Sequence, residues 1–333
     1  MFRRRVSEAG KDQAGVASRP RHAAPAGHDA GPVRHDSPPP PDNAEAGQEQ
    51  REPWGPPPAG LDVSLPHPAR VWNYWLGGRD FFAADKAAGE EISREFPHLA
   101  ETARAERAFL VRAVRFLAGP ARIRQFLDVG SGLPAGGNTH EIAQRIVPDT
   151  GIVYADHDPA VILHAKALLG SPMLASTPEG AVYYADADLR DVAAVLAAAA
   201  TTVDLSRPVA LIMLGILGHV DDYGAARSIT SQLMDELAPG SYLVIADGVA
   251  LDTAGAASVA SAQRRYDASA RPRYGASAPA PYRLRRPDEL ASFFDGLDLT
   301  EPGVVPCSQW RPDGRGRDGA ETAAAYCGVA RKP

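Results

Sequence analysis

The run QFLDVGSGLPAGGN (residues 125–138) begins as a short buried strand, turns on Gly130 and Gly132, and ends at Asn138, which can cap a helix. Strand, glycine turn and helix in that order open an α/β unit, and the two glycines let the backbone approach a ligand closely. Amides near the following helix start suit a carboxylate or a phosphate. GSGLPA also satisfies G-x-G-x-x-G/A, so the turn alone leaves a dinucleotide site open. Asp128, two residues before the first glycine, tilts the reading. A carboxylate there repels a pyrophosphate and suits a cationic ligand. A tight turn with no ligand is the plainer alternative.

Downstream, strands and helices alternate. After the strand at 125–130, NTHEIAQRIV (138–147) reads as a helix with an Asn138–Glu141 capping box. Strands follow at 151–156, 181–186, 208–214 and 241–247. Between them lie helices at 158–170, 189–200 and 225–240, the first with Asp158 as its cap. This spacing predicts a parallel, doubly wound sheet. Residues 249–283 form a long polar insertion, and a helix follows at 287–297. Two β-like runs, 299–310 and 324–333, then flank the turn RPDGRGRDGAE and are expected to close as an antiparallel hairpin.

Upstream, residues 1 to about 60 are rich in Pro, Gly, Ala and charge and are expected to be disordered. RVWNYWLGGRDFFAADK (70–86) then packs five aromatics into eleven positions, in a chain with 7% aromatic content. From 83 to 118 the pattern is helical, with Phe109, Leu110, Ala113, Val114, Phe116 and Leu117 on one broad face.

Bulk properties exclude several classes. Net charge is −6, which disfavours a general nucleic-acid binder. The start of the chain has arginines without an apolar h-region, so no signal peptide is read. No apolar run reaches bilayer-spanning length. Cys307 and Cys327 have no metal or disulfide spacing and read as buried thiols in neighbouring strands. A reducing, cytoplasmic setting, no metal and no membrane or nucleic-acid partner are expected. Oligomeric state is not legible.

In open α/β sheets ligands bind beyond the carboxyl ends of the strands. The second strand ends at Asp156, placed to hold both hydroxyls of a ribose. The third ends in DADLRD, where Asp186 or Asp188 could accept from the exocyclic amine of a base, or cap a helix. The fourth runs into LGILGHVDDYG, where His219, Asp222 and Tyr223 would face the reacting end of a ligand.

FLDVGSG, YADHDP and ADLRD, with the late hairpin, resemble a class I S-adenosylmethionine-dependent methyltransferase. PARVWNYWLGGRDFFAADKAAGEEI and AERAFLVRAVRFL are similar to one bacterial branch of that superfamily, whose substrate is unsettled. The likeness covers about residues 65 to 333. It implies a Rossmann-like methyltransferase fold: a mostly parallel, seven-stranded sheet with an antiparallel last strand. It implies S-adenosyl-L-methionine as cofactor, its methionine end at Asp128, Gly130, Ser131 and Gly132. The ribose would lie on Asp156 with His157 alongside, and the adenine near Asp188 and Leu189.

Three segments are therefore expected: the tail (1–60), an N-terminal helical cap (61–120) and the donor-binding α/β domain (121–333). In the cap, Trp72, Tyr74, Trp75, Phe81 and Phe82 would wall a dry pocket for a small-molecule acceptor, with Gly77-Gly78 as a tight turn. The plainer alternative is ordinary packing of an N-terminal helix. His219 and Tyr74 are the candidate catalytic residues. Two rival functions stay open: a sensor that binds the donor without turnover, and a nicotinamide-dependent oxidoreductase. Asp128 and the closing hairpin weigh against the latter, as does the lack of a Tyr-x-x-x-Lys.

Overall fold

Five strands become parallel neighbours in one sheet. They are β1 (Gln125–Val129), β2 (Gly151–Asp156), β4 (Gly180–Asp186), β5 (Ala210–Leu214) and β6 (Tyr242–Gly248). The computed structural model describes residues 63–95, 99–134, 136–169, 175–177, 180–250, 282–312 and 324–333, within a unit running from Gln50 to Pro333. The expected disordered tail, nearly all of the polar insertion and most of the 311–321 turn lie outside the described residues.

Every residue of β1 is buried, as a central parallel strand requires. Successive side chains go to opposite faces. Leu127, Val129, Val153, Leu211, Met213 and Ile245 meet α6 (Val192–Ala199) and α7 (Tyr223–Asp235). Phe126, Ile152, Ile212 and Val244 meet α3 (Leu99–Ala118) and α4 (Thr139–Ile146). The sheet is thus doubly wound.

The edges hold more than the seven strands expected. Strand order is β3-β4-β2-β1-β5-β6-β9-β7, with β8 also on β9. The short β3 (Ala175–Thr177) pairs antiparallel with β4. The run read as one strand at 299–310 is two, β7 (Asp298–Leu299) and β8 (Val305–Pro306), because Pro302 and Gly303 interrupt the ladder. Both pair antiparallel with β9 (Ala325–Arg331), which lies between β6 and β7. Cys307 and Cys327 are buried, free thiols; Cys307 stands in a 3-10 turn after β8, not in a strand.

The stretch read as helical over 83–118 is two helices, α2 (Ala83–Glu95) and α3, with Pro97 in the sequence between them. Before them stands a further helix, α1 (Pro68–Trp75). It ends in a Schellman turn: the Gly78 N–H donates to Asn73 O and the Gly77 N–H to Tyr74 O, with Gly77 at φ +75°. α1 is tied to α2 by Asp85, which accepts from the His67 N–H (2.7 Å), Arg70 Nε (2.9 Å) and the Phe82 N–H (2.7 Å). α5 (Pro159–Leu169) starts at Asp158, whose carboxylate accepts the Ala160 N–H at 2.8 Å. Among the described residues no helix is long and apolar enough to cross a membrane.

Candidate active site

The glycine turn is built by three contacts. The Gly130 N–H donates to Ala155 O, joining the end of β1 to β2. The Gly132 N–H donates to Asp156 Oδ2 at 2.8 Å, and the Asp158 N–H to Asp156 Oδ1 at 3.0 Å. Gly130 adopts φ +73°, and a Cβ there would stand 2.4 Å from Ile216 Cγ1. The turn after β5 therefore closes on the glycine turn, and only glycine allows both the backbone angle and the approach.

Asp128 lies beneath this turn, buried, and accepts from Thr139 Oγ1 at 2.7 Å. Burial raises its carboxyl to about 6, against the lowering effects of Thr139 and Arg107. Burial also raises Asp156, while its two backbone donors pull the other way. The Ser131 hydroxyl is buried with no hydrogen-bond partner. Asp128, Gly130, Ser131, Gly132 and Asp156 are thus brought together.

The expected Asn138–Glu141 capping box does not form. The Asn138 side chain makes no cap hydrogen bond. Its Oδ1 accepts from Arg107 Nη2 (2.9 Å) and its Nδ2 donates to Glu141 Oε1 (2.8 Å). The α4 start is served instead by Tyr154 of β2, whose hydroxyl accepts the His140 N–H at 2.9 Å. A tertiary partner outcompetes the local one.

The predicted base-binding residues are placed differently from one another. Asp186 is exposed. Asp188 is held by Arg190, whose Nε lies 2.9 and 3.1 Å from its two oxygens, and this contact lowers its carboxyl. Leu189 directs its side chain into the core under α6, so it offers no side chain to a ligand. The helix cap is Asp191, which accepts the Ala194 N–H. His157 is exposed beside Asp156.

Beyond β5, the His219 ring stands edge-on to Tyr282, 5.1 Å between centroids. Asp222 is the cap of α7 and Tyr223 packs on Phe293 and Ser292, so neither faces the strand ends as expected. Next to His219 is a residue the sequence reading passed over. Asp247, at the end of β6, accepts from the Gly218 and Gly248 N–H groups at 3.0 Å and from the Tyr282 hydroxyl. Burial raises its carboxyl to about 7. It repeats the strand-end acid pattern of Asp128 and Asp156, which was the available signal.

Tyr74 is not at the strand ends. Its ring packs edge-on to Phe81 at 5.1 Å and lies on Gly89 of α2. Burial and Glu90 raise its phenol, the wrong direction for a base. Trp75 Nε1 donates to Gly89 O and Ser93 Oγ, and Trp72 packs edge-on to Trp75. The aromatics join α1 to α2, and none of the five lines the cleft beside them. A cleft of about 800 Å³ does lie nearby, between the Gly77–Asp80 turn, α3 and residues 134–138, and its walls mix apolar side chains such as Leu76, Val111 and Pro134 with polar ones. They include Asn73, Arg79, Asp80, Arg104, Arg107 and His164. Burial lowers the His164 imidazole to about 4, so it is neutral at pH 7.

Residues 55–333 match the S-adenosyl methyltransferase family. The structure is similar to the crystal structure of a DUF574-family protein from Streptomyces avermitilis, at 40% identity and TM-score 0.70, covering 82% of this chain and 99% of that one. It is likewise similar to a candidate methyltransferase from Thermobifida fusca, at 37% identity and TM-score 0.69, covering 83% and 98%. No curated protein matches the chain. A doubly wound sheet, a carboxylate-flanked glycine turn and a match over most of its length place this chain in the S-adenosyl methyltransferase family, whose methyl donor is S-adenosyl-L-methionine.

Proposed function

We propose that this chain methylates a small molecule held in the cleft beneath the Gly77–Asp80 turn, with the donor's methionine end at the glycine turn and its ribose on Asp156. The observation carrying this reading is the unpartnered, buried Ser131 hydroxyl between Gly130 and Gly132, in the turn whose Gly132 N–H is held by Asp156. Buried polar atoms are rarely left without partners unless a ligand or water completes them. The donor supplies an electrophilic methyl on a cationic sulfur.

The chain's part is to bind, orient and exclude water. Asp128 provides the countercharge and the glycine turn provides amides. Each Asp156 oxygen has a lone pair left after its backbone bond, enough for one ribose hydroxyl each. The cleft's volume is that of a small-molecule site. The chain's net charge of −6 gives no attraction for nucleic acid. α1, α2 and the Gly77–Asp80 turn form the cap. Of the expected 61–120 segment, α3 serves the sheet instead, packing its apolar face into the core. Alignment in such a site is worth up to ~7–11 kcal/mol of barrier. Asp247, with Tyr282 and His219 beside it, stands beyond β5 and β6 outside this cleft's lining, and we assign it no part in holding the acceptor.

Asp156→Ala tests the donor site. Calorimetric titration with S-adenosylhomocysteine is expected to show at least tenfold weaker binding with an unchanged far-UV spectrum. An unchanged dissociation constant places the ribose elsewhere.

A further inference from the structure

Helix α3 carries a charge where its pattern calls for an apolar residue. Glu106 precedes Phe109, Leu110, Ala113 and Leu117 by three, four, seven and eleven positions, so it shares their buried face. It is 3% exposed, and its Oε1 has no hydrogen-bond partner. Its Oε2 lies against the turn after β5: a Cβ built on Gly215 would stand 3.4 Å from it. The next residue, Ile216, is the one that closes on Gly130.

No cation in the described structure pairs with Glu106. The neighbouring charge is Asp247, another acid, which together with burial pushes Glu106 well above the usual carboxylate range. Cys307, after β8, is the other titratable group facing it. Arg107 reaches Gly136 O and Asn138, and Arg112 donates to Cys307 O and Trp310 O. Of this acid pair Asp247 has a cation beside it, Arg285, whereas Glu106 has none and keeps a free acceptor atom. Such an arrangement is costly unless something cationic completes it.

We propose that Glu106 is the residue that binds the α-ammonium group of the methyl donor. This rests on the donor placement proposed above. The ammonium is a compact donor of three hydrogen bonds. It would reach Glu106 Oε1 from the glycine turn, the end assigned to the methionine moiety. The sulfonium and an acceptor amine are the other cations that could enter, and the choice of probe separates them. S-Adenosylhomocysteine has a neutral sulfur, and its desamino analogue keeps the carboxylate and loses only the ammonium.

The test is calorimetric titration of the full chain and of Glu106→Gln with both compounds at pH 7. The wild-type chain is expected to prefer S-adenosylhomocysteine over the desamino compound about tenfold. Glu106→Gln is expected to bind both compounds alike. A variant that keeps the wild-type preference overturns the proposal, as does a wild-type chain that binds both compounds equally. If Glu106→Gln does not fold, Glu106→Leu, which continues the apolar stripe of α3, takes its place in the same comparison with the same outcomes. A wild-type chain that binds neither compound overturns the donor site itself, a distinct result.

Discussion

Asp85→Ala is expected to lower stability by about 3–5 kcal/mol, the cost of leaving one member of a buried ion pair without its partner. Asp85 is fully buried and Arg70 is 3% exposed, so neither can turn to water. The carboxylate also ends two backbone N–H groups, of His67 and Phe82. Its removal would strand a guanidinium that also donates to Leu65 O and lies over the Phe82 ring. Urea unfolding followed by tryptophan fluorescence would report the loss, since Trp72 and Trp75 lie on α1. The same substitution loosens the Gly77–Asp80 turn, which continues from α1 into the cleft wall. Acceptor KM should therefore rise while the affinity for S-adenosylhomocysteine holds. A change below 1 kcal/mol would mean that α1 is held by its aromatics alone.

Why this node was not legible in the sequence is instructive. Arg70 and Asp85 are fifteen residues apart, on two helices, and neither spacing nor composition couples them. The aromatics between them were legible as a cluster needing cover. What they cover was not, because Tyr74 and Trp75 lie against Gly89 and Ser93 of a helix whose own pattern looks merely polar. The sheet was easier. β1, β2, β4, β5 and β6 are apolar runs bounded by turn residues, and burial on both faces leaves them little alternative. β7 and β8 have two residues each and carry no such pattern.

The site divides the same way. Asp128 and Asp156 could be found because they end strands, where the fold places ligands. Asp247 ends a strand as well and was open to the same argument. Glu106 had a different signal, an acid in phase with an apolar helical stripe. Leu189 shows the limit of the approach: adjacency to a strand end does not say which way a side chain points, and this one fills the core.

Asp128→Asn separates the carboxylate's two effects. Burial raises Asp128 to about 6 from an ordinary 3.8. Between those values the folded chain keeps a proton that the unfolded chain has released. Stability from this group is therefore full below about pH 4, falls as pH rises to about 6, and stays low above that. The difference corresponds to on the order of 2–3 kcal/mol at pH 7.5. Asparagine keeps an oxygen for Thr139 Oγ1 and removes the charge. The variant should thus be more stable than the parent at pH 7.5 by up to about 2–3 kcal/mol, equal to it near pH 4, and flatter between. The charge is what a cationic donor needs, so affinity for S-adenosylmethionine should fall at least tenfold, and by more than the affinity for the uncharged sulfur of S-adenosylhomocysteine. Thermal unfolding across pH 4–8 and titration with both compounds read the two effects separately. A variant less stable at every pH would mean that Arg107 already compensates the carboxylate. A variant that binds both compounds as the parent does would mean that the glycine turn holds its ligand without this charge.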